Sequence, residues 1–189
     1  FTDPLEIEAA KTGTPLENIK QAGVKVPNFN TKINLLEFLL KTNPGFSKVL
    51  VFVSTKKLAD DVYERISLKF PEEVGVIHSN KSQNFRLESF RSFNANQLRV
   101  LIATDLVARG LDFDDITHVV NFDLPEVPES YMHRIGRTGR ADKKGVALAF
   151  ITKADTDSRK AIEELMGNKI PVMKMPEEVE ISKELTEYE

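Results

Sequence analysis

From residue 48 onward, apolar positions alternate between short continuous runs and helical stripes. Val49-Leu50-Val51-Phe52-Val53 is apolar at every position, as in a strand covered on both faces. Leu58, Val62, Ile66 and Phe70 recur at a spacing of four, which predicts a helix to Phe70 capped by Ser54 or Thr55. The same reading predicts strands at Val74 to Ile77, Arg99 to Ala103, Thr117 to Phe122 and Val146 to Ile151. Helices are predicted from Ser82 to Phe93, for one turn at Asp105 to Ala108, from Pro128 to Ile135, and from about Asp155 to Met166. Upstream, Ile19 to Val26 reads as an edge strand and Pro27 to Asn30 as a turn, with Thr31 capping a helix through Leu40.

Strands alternating with helices imply βαβ units and an α/β fold with a mostly parallel sheet flanked by helices. Ligands of such sheets bind beyond the carboxyl ends of the strands, a rule that selects Ser54-Thr55, His78 onward, Thr104-Asp105 and Asp123. Phe1 to Glu8 reads as a short strand and Ala9 to Glu17 as a linker. The stretch after Met173 is poor in apolar residues and carries six glutamates beyond Met175, so it is expected to be a solvated acidic tail. The expected division is 1–18, 19–173 and 174–189.

Composition narrows the chemistry. With 189 residues and 41% hydrophobic content, the chain can build one domain with a real core. It has no cysteine and three scattered histidines, which leaves no thiolate or zinc site. No apolar run is long enough to cross a membrane and no signal-peptide pattern opens the chain, so a cytoplasmic, membrane-free protein is expected. Position 1 is Phe, which suggests a fragment or a processed chain. The net charge of −3 argues against a broadly basic coat, so any polyanion must be bound locally.

Charge type is the informative feature. Between Lys81 and Lys143 every cationic side chain is an arginine: Arg86, Arg91, Arg99, Arg109, Arg134, Arg137 and Arg140. A planar fork suits a phosphate better than an ammonium does. In His133-Arg134-Ile135-Gly136-Arg137-Thr138-Gly139-Arg140, two glycines end the preceding helix and leave Arg137 and Arg140 on a tight turn. The spacing also fits a surface lattice in which Asp142 and Glu129 pair with the arginines. Arg91 and Arg99 are the arginines expected to be held by carboxylates. Thr104 and the amides beyond it could receive an anion, Gly110 would allow close backbone approach, and Asp105 could cap the short helix. There is no G-x-x-x-x-G-K-[ST] loop and no obvious Mg²⁺ site. The chain offers arginines to a phosphate without the loop that would cradle a nucleotide.

These motifs resemble those of the second RecA-like domain of DEAD-box RNA helicases, over roughly Ile19 to Ile170. HRIGRTGR looks like that family's motif VI, ATDLVARGLD like motif V, and VFVST (Val51 to Thr55) like motif IV. Gln83-Asn84-Phe85-Arg86, followed by Phe90 and Phe93, is similar to the Q-x-x-R element, and Val120-Asn121-Phe122-Asp123-Leu124-Pro125 to the element joining motifs V and VI. The tail and VPNFNTK look most like a bacterial RhlE-like subgroup. Ser79 stands where Gly usually follows His78, Phe122 where Tyr is frequent, and Ala22-Gly23 where an aromatic often occurs.

The resemblance implies a three-layer RecA-like domain that forms the C-terminal half of an ATP-dependent RNA helicase and is inactive in turnover by itself. By the same resemblance, Arg137 and Arg140 would reach the γ-phosphate of ATP, Arg140 as the arginine finger, and Asp112 would contact the ribose. Thr55, Gln83, Arg86, Thr104 and Gly110 would hold the RNA sugar-phosphate backbone without reading its sequence. Arg109 and His133 would link motifs and domains. ATP and Mg²⁺ would be held mainly by an upstream RecA-like domain, whose last strand FTDPLEIEA resembles. The implied partners are RNA and that domain, with this chain monomeric when alone. Two other readings stay open: a non-catalytic RecA-like RNA-binding or adaptor module, and half of a DNA-directed helicase or remodeller.

Overall fold

In the computed structural model, residues 16–140 and 143–189 are described. The expected first strand, most of the linker and Asp142 therefore lie outside the described residues. Among the described residues seven strands form one sheet: β1 (Ile19–Lys25), β2 (Val49–Val53), β3 (Val74–Ile77), β4 (Val100–Thr104), β5 (His118–Asn121), β6 (Gly145–Ile151) and β7 (Val172–Met173). Their order is β3-β4-β2-β5-β6-β1-β7, and every pairing is parallel. The expected edge strand β1 is flanked by β6 along its whole length and by only two residues of β7.

Among the described residues there are six α-helices: α1 (Phe29–Thr42), α2 (Lys56–Lys69), α3 (Gln83–Asn94), α4 (Asp105–Ala108), α5 (Pro128–Ile135) and α6 (Thr156–Met166). Strand alternation sorts them into layers. Val49, Val51 and Val53 face α1 and α2 with Ile33, Leu36, Val62 and Ile66. Leu50 and Phe52 face the opposite way, toward Phe93 of α3 and Ala108 of α4, while Ala147 and Ala149 meet Tyr131 and Ile135 of α5 and Ile162 of α6. All of β2 to β4 is buried, which is why those strands read as unbroken apolar runs.

Two local expectations are corrected. Helix α1 begins at Phe29, not after Thr31, because the Asn28 side chain accepts from the Thr31 amide and serves as the cap. Helix α2 keeps Thr55, one of its two expected caps, whose hydroxyl accepts from the Leu58 amide; only its end moves, stopping one residue short of Phe70.

The acidic tail is the larger correction. Residues 174–189 lie against α1 and α2 rather than standing off in solvent. Val179 is buried in the core on that face, and the Tyr188 ring sits 5.0 Å from that of Phe29. Asn28 and Asn34 donate to the carbonyls of Ser182 and Glu180, and the Glu189 carboxylate accepts from the Phe29 amide at the start of α1. Glu187 pairs with Lys57 at 2.8 Å. Glu189 and Glu187 thus meet a helix N-terminus and a lysine, both favourable for anions.

Candidate functional site

In a parallel sheet the helix starts gather along the carboxyl rim, and here they carry most of the expected backbone-binding residues. Thr55 is exposed at the end of β2 as the cap of α2. Beyond β3, Ser82 caps α3, and Gln83 and Arg86 lie in its first turn with Arg86 Nη2 donating to Gln83 Oε1 at 2.7 Å. The Nε of Arg86 is buried and has no hydrogen-bond partner among the described residues. Thr104 ends β4 at the start of α4, largely buried and making no side-chain cap bond. Gly110 follows α4, exposed, with open space where a Cβ would stand. These residues mark separate points along a rim that runs over β3, β4 and β2 in sheet order.

The arginine turn lies lower, beside the segment 109–117 that runs back from α4 to the start of β5. Pro128 opens α5 and Gly136 closes it, as the sequence predicts. Thr138 is buried and donates to the Ile116 carbonyl at 2.6 Å, which ties the turn to the root of β5. Gly139 has φ of +67°, and a Cβ there would crowd Ile19 and the Asn18 carbonyl. At Gly145 a Cβ would overlap the Thr138 hydroxyl and the Gly139 amide, so only glycine lets β6 start so close to the turn.

The three arginines that follow His133 have different surroundings. Arg134 is 1% exposed; its Nε and Nη2 donate to the two carboxylate oxygens of Asp105 at 2.7 and 2.8 Å. Its Nη1 donates to the Asp123 carbonyl at 2.7 Å and to Asn121 Oδ1 at 3.3 Å, and its guanidinium lies 5.4 Å from the Phe52 ring centre. Arg137 is half-buried and donates to the Leu111 carbonyl at 2.8 Å and, more weakly, to that of Arg109. Burial, then the charge of Arg140, destabilise its cation, and Asp112 opposes both. Arg140 pairs with Asp112 at 2.6 Å across an exposed surface. The structure therefore brings Asp112, Arg137 and Arg140 together. Their described partners are Asp112 and backbone carbonyls, not Glu129.

The buried connections differ from those expected at Asp105, Arg91 and Arg99. Asp105 does not cap α4; its carboxylate is turned to Arg134. Arg99, expected on a carboxylate, instead donates to the carbonyls of Phe46 and Leu40 at 2.6 Å each, closing the carboxyl end of α1. Arg91 lies on the outer side of α3, in a hollow lined with Asn84, Glu88 and Gln97. Arg109 and His133, expected to link motifs, border a small depression with Phe52, Asp105 and Arg134. The fully buried link itself is made by Arg134.

Sequence reasoning also missed the clamp between Ser54 and Asp123. Both the amide and the hydroxyl of Ser54 donate to Asp123 Oδ2, joining the ends of β2 and β5. Burial raises the Asp123 pKa, opposed by Arg134, the Ser54 hydroxyl and Lys32. A polar residue at each of two neighbouring strand ends was the available signal, but strand order is needed to read it.

The depression next to Arg137 holds about 10 Å³, and a hollow of about 530 Å³ lies near Glu73 and Arg99 at the opposite ends of the strands. No helix among the described residues is long and apolar enough to cross a membrane.

The family model for the helicase conserved C-terminal domain matches residues 31–142. A probable ATP-dependent RNA helicase of Dictyostelium discoideum, ddx41, is 44% identical over 155 residues, covering 82% of this chain and 22% of that protein. A crystal structure of a DEAD box protein from the hyperthermophile Methanococcus jannaschii aligns with a TM-score of 0.75 at 39% identity, over 84% of this chain and 43% of that one. Dbp5 of S. cerevisiae bound to RNA and ADP BeF3 aligns with a TM-score of 0.77 at 28% identity, over 93% of this chain and 49% of that one. This chain spans less than half of each of these three proteins. The model match runs from α1 through the arginine turn, and the all-parallel seven-stranded sheet is RecA-like: the chain belongs to the helicase conserved C-terminal domain family, in the form carried by DEAD-box RNA helicases.

Proposed function

We propose that this chain is the C-terminal half of an ATP-dependent RNA helicase, supplying arginines to ATP and a backbone-binding rim to RNA. The observation that carries the reading is the open cluster of Asp112, Arg137 and Arg140 on a turn tied down by Thr138. Such a cluster is chemically suited to a phosphate presented by a facing domain. The exposed Arg140–Asp112 pair is of the weak surface kind, so an incoming anion can exchange for the carboxylate at small cost. Asp112 is then released to accept from ribose hydroxyls. Arg140 is the arginine finger and Arg137 the second phosphate ligand. A finger of this kind contributes about 10³–10⁵ in rate by stabilising charge in the transition state.

Thr55, Gln83, Arg86, Thr104 and Gly110 bind the RNA backbone, and the contact is sequence-independent because phosphates carry no base information. Arg109 and His133 face the other domain, where the exposed side chains of Leu106 and Val127 add apolar contact. The domain runs from 19 to 173, the tail from 174 to 189, and residues 1–18 belong with the upstream domain. ATP would be held mainly by that domain, and Mg²⁺ bound there would supply neutralisation of the phosphate charge. Support comes from the relatives: ddx41 is described as an ATP-dependent RNA helicase, and Dbp5 was solved with RNA and ADP BeF3.

The test is ATP turnover, with and without RNA, for this chain alone and for the two-domain protein in which an upstream RecA-like domain precedes it. Silence alone and RNA-stimulated turnover when joined are expected. A folded two-domain protein with no turnover would replace this reading with the non-catalytic RNA-binding module.

A further inference from the structure

Helix α3 carries three phenylalanines, and packing accounts for two of them. Phe93 is fully buried with its ring 6.1 Å from Phe113, and Phe90 packs edge-on against the same ring at 5.3 Å. Phe85 is not among the residues packed in the core that those two rings share. It is 42% exposed.

Local stability does not call for it either. Ser82 caps the helix through its hydroxyl, which accepts from the Phe85 amide at 3.1 Å. Phe85 thus holds the position at which a capping box places Glu or Gln, whose side chain would return a hydrogen bond to the cap. Phenylalanine gives up that bond and leaves a large apolar surface in water. Its surroundings are cationic on the near side. Lys81 Nζ stands 5.5 Å from the ring centre while also pairing with Asp60 at 3.4 Å, and Arg86 follows directly in the chain. An exposed ring next to an ammonium and a guanidinium, at the rim where Gln83 and Arg86 meet the RNA backbone, fits a nucleobase in both shape and charge.

We propose that Phe85 is a base-stacking residue: with the backbone engaged by Gln83 and Arg86, one base of single-stranded RNA lies against its ring. The inference rests on the RNA-binding reading above. Because every base has a π-face, the contact adds affinity without selecting a sequence, and it favours an unpaired strand over a duplex whose bases are already stacked.

The experiment measures affinity of the two-domain protein for a single-stranded oligouridylate and for the same oligomer with abasic ribose at every position. Phe85→Ala is expected to weaken binding of the oligouridylate by about fivefold to a hundredfold and to leave the abasic oligomer unchanged. Phe85→Leu keeps apolar bulk without the ring and is expected to behave like Phe85→Ala. Phe85→Trp is expected to retain affinity and to show indole quenching on binding oligouridylate only. Equal losses on both oligomers, or no loss with Phe85→Ala, would overturn the stacking role. Arg86→Ala separates the two readings: it should weaken both oligomers. If it weakens neither, the backbone reading fails whatever Phe85 does.

Discussion

Removing the Asp105 carboxylate should destabilise the domain more than removing its partner. Arg134 is 1% exposed and has four hydrogen bonds, two of them to Asp105. Asp105→Ala leaves a permanently charged guanidinium in place with two donors unpaired, a class of change that costs about 3–5 kcal/mol. The Asp105 side chain is 27% exposed, so some water can enter and the lower end, about 3 kcal/mol, applies. For a chain of this size each kcal/mol moves the midpoint by about 2–4 °C, which gives a fall of about 6–12 °C. Arg134→Met removes the charge, leaves the Asp105 carboxylate open to water, and leaves at Asp123 a buried carboxylate that, unlike a guanidinium, can relieve its burial by taking up a proton, so it should cost less. The double variant Asp105→Ala/Arg134→Met should unfold at a higher temperature than Asp105→Ala alone. The assay is thermal unfolding of this chain followed by circular dichroism, repeated in urea to check that the slope of the transition is unchanged. A midpoint within about 2 °C of the unaltered chain, or strictly additive losses in the double variant, would show that the bridge does not hold the turn.

Four further outcomes are expected. Arg140→Ala in the two-domain protein should lower kcat at least about tenfold, within the range for arginine fingers, with little change in RNA affinity; a kcat near that of the unaltered protein would refute the finger role. Arg86→Ala should weaken RNA binding equally for unrelated sequences and reduce the slope of log affinity against log salt by about one, and a loss confined to one sequence would contradict a backbone contact. Gly110→Ala should leave stability within about 0.5 kcal/mol, because its Cβ would meet nothing within 4 Å, yet weaken RNA binding of the two-domain protein; unchanged affinity would remove Gly110 from the interface. His118 stacks on Phe46 at 3.8 Å, and burial pushes its pKa down to about 4 from an ordinary 6.5. The unfolded chain therefore binds more protons between those values, so stability falls as pH drops through that window; His118→Gln should flatten the decline of the midpoint between about pH 7 and pH 5, and an unchanged profile would refute the assignment.

The legible parts of the fold were those in which a local pattern and its burial coincide. β2, β3, α4 and α5 stand where periodicity and helix-end residues put them, because each is a short element with an unambiguous face. The start of α1 was misplaced because two polar residues, Asn28 and Thr31, each suit a cap. The choice is made by the tail, whose Ser182 amide occupies the Thr31 hydroxyl while the Ser182 carbonyl takes the Asn28 amide group. That tail was itself misread, since its composition suits solvent. What holds it is a few long-range partners: Phe29 for Tyr188, Lys57 for Glu187 and the α1 amide for Glu189. A sequence window cannot see a contact made across 130 or more residues. The same reason hid the Ser54–Asp123 clamp, whose two residues become neighbours only because β5 lies beside β2.

The site was legible in its residue types and only partly in its division of labour. Arg134, Arg137 and Arg140 are spaced three apart, yet helix α5 ends at Ile135, so each successive arginine leaves the domain a little further. The first is sunk into the sheet against Phe52 and spent on Asp105; the second rests on backbone carbonyls; the third reaches the surface and is met by one exposed carboxylate. A guanidinium cannot be neutralised, so whichever arginine is buried must be fully paired, and full pairing makes it an anchor instead of a ligand. Fixing that anchor places the turn, and Thr138 and Gly139 then hold it against the roots of β5 and β1. The last arginine can afford an exchangeable partner because the first has none to exchange. Stability lost at Asp105 should consequently appear as lost positioning at Arg140, before the domain as a whole unfolds.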